Sequence, residues 1–293
     1  MLWKMKKSYQ LSLPVVSAVL LILCFPRFNL HFLAWVALIP LFFSLERNSL
    51  KQRFIKGYLF GIIFFTGILN WLTNVTVPGT IILVFILSFY PAIFSLLYAI
   101  RYPLYAILYV PSLWVLSEFL RAHLFSGFPW ALLGHSQSFN LPIIQISDIT
   151  GAYGVSFLIV FVNFGLYLAL KKVPKRFYIL FFVFILLSLT LIYGHKKLKI
   201  VYPAQKLKVA VIQGNILQHQ KWDSRYRNFI LERYKKLTRE SLKENPELIV
   251  WPETSVPGYL EAETDLKNQA VNLAKTNNIY ILLGTCGKVK KAL

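Results

Sequence analysis

The chain has 293 residues, of which 56% are hydrophobic, 16% aromatic and 15% charged. Soluble domains carry about 25% charged residues, so this composition excludes an ordinary soluble enzyme, and its 24 Phe exclude a disordered chain. The net charge of +20 would suggest nucleic acid on a soluble protein, but on a membrane protein Lys and Arg collect in the loops of one side; no nucleic-acid partner is expected. Two cysteines, Cys24 and Cys286, are too few for a disulfide framework or a structural zinc site. The five histidines show no metal spacing and no phosphate-binding glycine loop is present, so neither metal nor cofactor is expected.

Charge is unevenly distributed. Residues 1–200 hold only three acids, Glu46, Glu118 and Asp148, and residues 201–293 hold the other nine. The first part therefore reads as a transmembrane domain, 1–200, and the second as a soluble domain, 201–293. A spanning helix needs about 20 apolar residues. The expected spans are Tyr9–Phe25, Leu30–Leu45, Phe54–Leu72, Thr80–Ile100, Leu104–Leu120, Gly151–Leu170 and Phe177–Tyr193, about seven in all. Lys4, Lys6 and Lys7 before the first run imitate a signal peptide, but no small-residue cleavage site follows, so a retained anchor is expected. Gly57 and Gly61 in the third run are spaced to form a helix-packing face.

With the N-terminus inside, twelve basic residues fall on inside segments, among them Arg47, Lys51, Arg53 and Lys56, whereas the outside loops between spans hold only Arg27 and Arg121. That bias places the tail outside, in the periplasm of a bacterium. The outside loop from Arg121 to Thr150 is too apolar for a solvated linker and too broken by Gly127, Pro129 and Gly134 for a span. It reads either as irregular backbone packed against protein at the membrane surface or as a plain connector. Glu118 beside Arg121 reads as a structural pair.

The tail alternates strand and helix. Leu207–Ile212, Leu248–Trp251 and Ile279–Gly284 are strand-like. A helix from Asp223 or Ser224 to about Glu244 carries Tyr226, Ile230, Tyr234 and Leu237 on one face, and Asp265–Thr276 forms a second, ended by Asn277-Asn278. This alternation implies an α/β sheet, whose ligands bind beyond the carboxyl ends of the strands. Gln213–Asn215, Glu253 and Thr285-Cys286 fall at that rim. Glu253 sits in Trp251-Pro252-Glu253-Thr254-Ser255-Val256-Pro257, where two prolines stiffen the turn. A carboxylate so fixed beside an indole suits a general base; a solvated acid in a turn fits the same residues.

Two sets of residues carry a resemblance. Lys208–Ile216, Lys221-Trp222-Asp223 and Trp251-Pro252-Glu253-Thr254 resemble the opening of a carbon–nitrogen hydrolase (nitrilase superfamily) domain. Ser117-Glu118-Phe119-Leu120-Arg121, Gly127-Phe128-Pro129-Trp130 and Gly134-His135-Ser136-Gln137 resemble the membrane part of the bacterial apolipoprotein N-acyltransferases. The two halves in this order are similar to that one family along nearly the whole chain. The resemblance implies an α-helical polytopic membrane domain followed by an incomplete αββα nitrilase-like domain, in the bacterial inner membrane with the soluble domain on the periplasmic side. It implies transfer of an acyl chain from a phospholipid to the α-amino group of the N-terminal diacylglyceryl-cysteine of an apolipoprotein, by a monomer using a Glu-Lys-Cys triad.

Glu253 matches the family's base. Trp222, Trp251, Pro257, Phe128 and Trp130 are the expected substrate contacts, although Trp222 reads equally as a residue packing on the sheet. The family's Lys and its Cys, in a Cys-Tyr-Glu-like context, lie downstream of the third strand. A polypeptide ending at Leu293 would hold the base without its nucleophile and is expected not to turn over. Cys286, in Gly284-Thr285-Cys286-Gly287, does not match the nucleophile's context; Lys288, Lys290 and Lys291 read as a solvated tail, and Cys24 as packing. The alternatives are an inactive remnant or non-catalytic membrane protein, and a membrane-anchored nitrilase-type amidase. A periplasm-only reporter fused after Leu293 should be active and a cytoplasm-only reporter at the same point silent; the reverse pattern overturns the topology.

Overall fold

The computed structural model describes residues 9–46, 48–98, 103–200, 206–221, 223–253, 255–256, 258, 260 and 263–284. The chain divides into two compact units, Met1–Val201 and Tyr202–Leu293. Of the residues singled out above, Trp222, Thr254, Pro257, Thr285 and Cys286, together with Lys4, Lys6, Lys7, Arg47, Arg101, Lys288, Lys290 and Lys291, lie outside the described ones.

The first unit is helical. Its elements are α1 (Tyr9–Cys24), a 3-10 turn (His31–Trp35), α2 (Ile39–Leu45), α3 (Leu50–Leu69), a second 3-10 turn (Asn70–Asn74), α4 (Val77–Leu97) and α5 (Pro103–His123). A third 3-10 turn (Leu133–Gln137), α6 (Leu141–Ile144), α7 (Ser147–Leu170) and α8 (Arg176–Leu198) follow. Among the described residues four helices are long and apolar enough to cross a membrane: Leu50–Asn74, Val77–Leu97, Ser147–Leu170 and Arg176–Leu198. Helix α5 also has the length of a span but carries Glu118 and Arg121, and α1 is shorter.

The expected continuous run Leu30–Leu45 is two pieces. Pro40 sits in the first turn of α2, where its missing N–H costs nothing, and the chain turns between Trp35 and Ile39. The backbone groups freed by this break are satisfied from neighbouring helices. Asn163 of α7 accepts the N–H of Leu38 at 2.9 Å and donates to the carbonyl of Ala34 at 2.8 Å, and Ser17 of α1 accepts the N–H of Leu41 at 2.8 Å. Irregular backbone at membrane depth is tolerated only when buried in protein this way.

Helices α3 and α4 pack most closely. A Cβ added at Gly57 would lie 2.4 Å from the carbonyl oxygen of Pro91, and one at Gly61 would lie 2.8 Å from Cα of Ser88. The Gly57/Gly61 face thus brings two backbones together, as small residues do in membranes. Helix α7 runs through the middle, with Ile159, Val160, Phe161, Phe164 and Tyr167 all buried. Phe42 stacks on Tyr98 and meets Phe164 edge-on, with centroids 5.7 and 5.4 Å away. In contrast, α8 presents Phe177, Tyr178, Phe181 and Phe184 outward, the pattern of a helix facing lipid. At the C-terminal ends of α2 and α4, Lys56 donates to the carbonyl of Ser44 (2.6 Å) and Arg53 to those of Leu45 (3.2 Å) and Tyr98 (2.6 Å). Cations suit these positions because helix carbonyls there lack partners.

The second unit is a three-stranded parallel sheet of order β1-β2-β3, with β1 (Val209–Val211), β2 (Leu248–Val250) and β3 (Tyr280–Leu282). Between strands run α9 (Gln218–Lys221), α10 (Arg227–Ser241) and α11 (Thr264–Thr276). The alternation of strand and helix forces this topology, since parallel neighbours need a crossover. A 3-10 turn (Leu242–Glu244) that follows α10 ends at Asn245, in the left-handed conformation, and Asn277 side-chain Nδ2 caps α11 on the carbonyl of Leu273 at 2.7 Å. Ala210, Ile249 and Ile281 share one register row and pack into a core with Ile230, Tyr234 and Leu266. The alternate residues Val211, Tyr280 and Leu282 are exposed.

Replacing Asn163 by Leu should cost about 1–3 kcal/mol, because it strands the buried N–H of Leu38 and carbonyl of Ala34. Thermal unfolding in detergent measures this, and an unchanged midpoint would mean that the break finds other partners.

Candidate functional site

The segment after α5 is built from buried polar contacts. Helix α5 closes through Gly127, whose φ of +68° is the left-handed region open to glycine; a Cβ there would meet the carbonyl oxygen of Ala122 at 2.3 Å. The chain then runs irregularly from Phe128 to Gly134. Arg121 turns its guanidinium onto this stretch and donates to the carbonyls of Trp130 (2.5 Å), Phe128 (3.2 Å) and Ala131 (3.4 Å). Glu118 accepts the N–H of Leu133 at 2.7 Å and the indole N–H of Trp114 at 3.0 Å. Ser156 accepts the N–H of Gly134 at 2.8 Å, and Gln137 donates to the carbonyl of His31 at 2.9 Å. Glu118 and Arg121, both buried, are therefore not the direct pair expected: they make no ion contact within 4.0 Å, because each is engaged by loop backbone that only the fold brings near. The segment packs against protein and is not a plain connector.

This loop forms one wall of a groove of about 470 Å³, within the usual range for small-molecule sites of roughly 300–1,000 Å³. Ile22, Phe25 and Phe28 line another side, Gly67 and Trp71 a third, and Arg27, Asn70 and His135 are its polar groups. The Trp130 ring is half-exposed and lies 5.3 Å from that of Trp71. Phe128 packs instead against the helical core. Trp71 was missed by sequence reasoning. Its position just after an apolar run, where interfacial tryptophans collect, is the signal that could have found it.

In the second unit, of the residues expected at the rim, Gln213–Asn215 follow β1 and Glu253 follows β2, whereas Thr285-Cys286 lie outside the described residues. Beyond β1 lie Gln213, Gly214 and Asn215, the last with φ of 50°. Beyond β2, the Trp251 N–H donates to the carbonyl of Leu282 at 2.8 Å and the Ile212 N–H to that of Val250 at 2.9 Å, so the strand ends stay tied. The Trp251 ring is buried, stacked on Tyr234 at 5.2 Å, with its indole N–H on Thr238 Oγ1 at 2.9 Å. Its ring thus holds the turn from the core side instead of facing outward. Glu253 follows in an exposed turn, and Lys221 of the Lys-Trp-Asp segment donates to its carbonyl at 3.2 Å. The buried Ser255 hydroxyl donates to the carbonyl of Gly284 at 3.4 Å, joining this turn to the end of β3. Asp223 accepts the N–H of Arg225 at 2.9 Å and pairs with its guanidinium at 2.6 Å. Among the described residues no cluster of His, Cys, Asp and Glu could hold a metal ion.

A bundle of apolar helices followed by a parallel α/β unit defines a membrane-embedded protein with an appended α/β domain. A family model described as the apolipoprotein N-acyltransferase N-terminal domain matches residues 17–165. The apolipoprotein N-acyltransferase of Geobacter metallireducens is 35% identical across 92% of this chain and 56% of its own length. That of Pasteurella multocida is 30% identical over 86% of the chain and 51% of its own, and that of Coxiella burnetii 30% over 93% and 59%. The chain belongs to the apolipoprotein N-acyltransferase family. It spans about half the length of the curated relatives it matches.

The Arg225 guanidinium holds the Asp223 carboxyl below the usual carboxylate range. A carboxyl depressed by folding contributes stability that is complete above its unfolded value and is lost as pH falls through the folded one. The Asp223 signal in a carbon-13 carboxyl titration should thus shift below the usual Asp value and return to it in Arg225→Ala. An ordinary value in the parent would dissolve this contact as the cap of the turn before α10.

Proposed function

We propose that this chain supplies the lipid-binding membrane platform and the carboxylate base of an acyl transfer at the outer face of a bacterial inner membrane. The donor is a phospholipid and the acceptor is the α-amino group of an apolipoprotein's N-terminal diacylglyceryl-cysteine. The observation that carries this is the placement of Glu253: in a family of this name, the one acid of the Trp-Pro-Glu-Thr turn stands beyond the carboxyl end of the middle strand of a parallel sheet, its turn tied to the end of β3 by the Trp251 N–H and the Ser255 hydroxyl and to α9 by Lys221. The exposed apolar row Val211, Tyr280 and Leu282 supports a two-sheet sandwich, since such a face is what a second sheet covers.

The chemistry follows from the triad of the nitrilase type. Glu253 takes the proton of the cysteine thiol as the sulfur attacks the ester carbonyl. The tetrahedral oxyanion is held by the lysine and backbone N–H groups, and the lysophospholipid alkoxide departs with the proton returned from Glu253. The α-amine then attacks the thioester, gives a proton to Glu253, and the thiol is regenerated as the amide forms. Splitting the transfer through a covalent intermediate replaces one hard step by two easier ones. In the resemblance, the lysine and cysteine come later in the family's sequence than the residues of β3.

The groove between Trp71 and Trp130 is the site we assign to the acyl chain of the donor. Its lining is mostly apolar, with Arg27, Asn70 and His135 as the polar exceptions, so a chain entering sideways from the bilayer exchanges one largely apolar environment for another. In the first unit Phe128 packs against the helical core, and in the second the Trp251 ring holds the Glu253 turn from the core side; Pro257 follows that turn in sequence and Trp222 belongs to the Lys-Trp-Asp segment upstream of it. A monomer suffices for this scheme.

In protein carrying the family's lysine and cysteine downstream of this chain, Glu253→Gln should lower transfer of a labelled acyl chain to a diacylglyceryl-lipopeptide by at least about 10²-fold. The amide keeps the shape of the carboxylate and loses only its proton affinity. Near-normal transfer would mean that another group is the base.

A further inference from the structure

Arg121 has an arrangement that the transfer chemistry does not use. It is buried, yet its charge is not neutralised by an ion pair, since Glu118 lies beyond 4.0 Å contact and is engaged elsewhere. A buried cation needs compensation, and here three carbonyls of one short stretch, Phe128, Trp130 and Ala131, provide it. The planar guanidinium can hold several acceptors in fixed directions, which an ammonium cannot. Two residues further on, Glu118 takes the Leu133 N–H. The cation thus gathers the carbonyls and the anion the N–H of one irregular stretch, from positions one helical turn apart on α5.

The bonded stretch is the one that carries Trp130. Its ring is half-exposed and lies 5.3 Å from that of Trp71. The geometry points to Arg121, assisted by Glu118, as the positioning residue that sets Trp130 against Trp71 and so fixes the width of the groove. Arg121 touches no lipid in this scheme; it acts through the backbone of residues 128–131. The functional consequence rests on the assignment of the groove to the acyl donor.

The test uses the chain with Cys24→Ala and Cys286→Ser and two separate cysteine pairs. Trp71→Cys with Trp130→Cys reports the groove wall. Phe54→Cys with Phe89→Cys, whose rings lie 6.2 Å apart on α3 and α4, reports the bundle. With Arg121 present both pairs should cross-link. Arg121→Met should reduce the groove cross-link by roughly tenfold, as expected for losing charge-assisted hydrogen bonds, and leave the bundle cross-link unchanged. Should Arg121→Met fail to fold, Arg121→Lys keeps the charge and serves in its place. As a single donor centre it should give an intermediate groove yield.

An unchanged groove cross-link in a folded variant, or an equal fall in both pairs, overturns the positioning role. The groove assignment is read separately, by labelling in phosphatidylethanolamine vesicles with a photoactivatable acyl chain. Label at Trp71 or Trp130 no greater than on the outward face of α8 defeats the lipid assignment, whatever the cross-links show.

Discussion

Irregular backbone inside an apolar bundle is the constraint on which the membrane unit depends. An N–H or carbonyl without a partner there costs several kcal/mol, so each departure from helix has to be met by a side chain from another element. Two departures among the described residues show this. One is the break at residues 36–38, met by Asn163 and Ser17. The other is the stretch from Phe128 to Gly134, met by Arg121, Glu118 and Ser156. Gln137 joins the two, donating to the carbonyl of His31. These polar residues sit on helices that the hydrophobic pattern alone would leave featureless.

The energetic consequence is cooperativity. Arg121 and Glu118 are each buried, and a buried charge that loses its partners is strongly destabilising. The loop therefore needs the charges to order, and the charges need the loop to be tolerated. A wall held by directional hydrogen bonds is stiffer than one held by apolar contact alone, which suits the groove proposed for the acyl chain.

The second unit is held by different contacts. Its sheet is short, three residues per strand in the ladder, and one aromatic pair does much of the fixing. Trp251 stacks on Tyr234 and bonds Thr238 from the position just after β2, before the Glu253 turn. Gly214 lies against the same Tyr234 ring, where a Cβ would approach its Cζ to 2.7 Å. The turns after β1 and β2 are thus braced by one helix, α10, so the positions of Gln213–Asn215 and Glu253 are set together.

The sequence by itself determined the division of the chain, the helical character of its first part and the β-α-β-α-β order of its second, because these rest on local patterns: long apolar runs, a sharp change in acid content near residue 200, and periodicity in Arg227–Ser241 and Thr264–Thr276. Gly57 and Gly61 were legible as a packing face because their spacing is itself the signal, and the turn that holds Glu253 was legible through the prolines around it. The tertiary structure decided what depends on distant partners. That Leu30–Leu45 breaks, that Glu118 and Arg121 serve loop backbone instead of each other, that the Trp251 ring turns into the core, and that Trp71 meets Trp130 are all long-range facts. No local pattern encodes them, because a side chain's partner is chosen by which backbone groups the folded bundle leaves unsatisfied beside it.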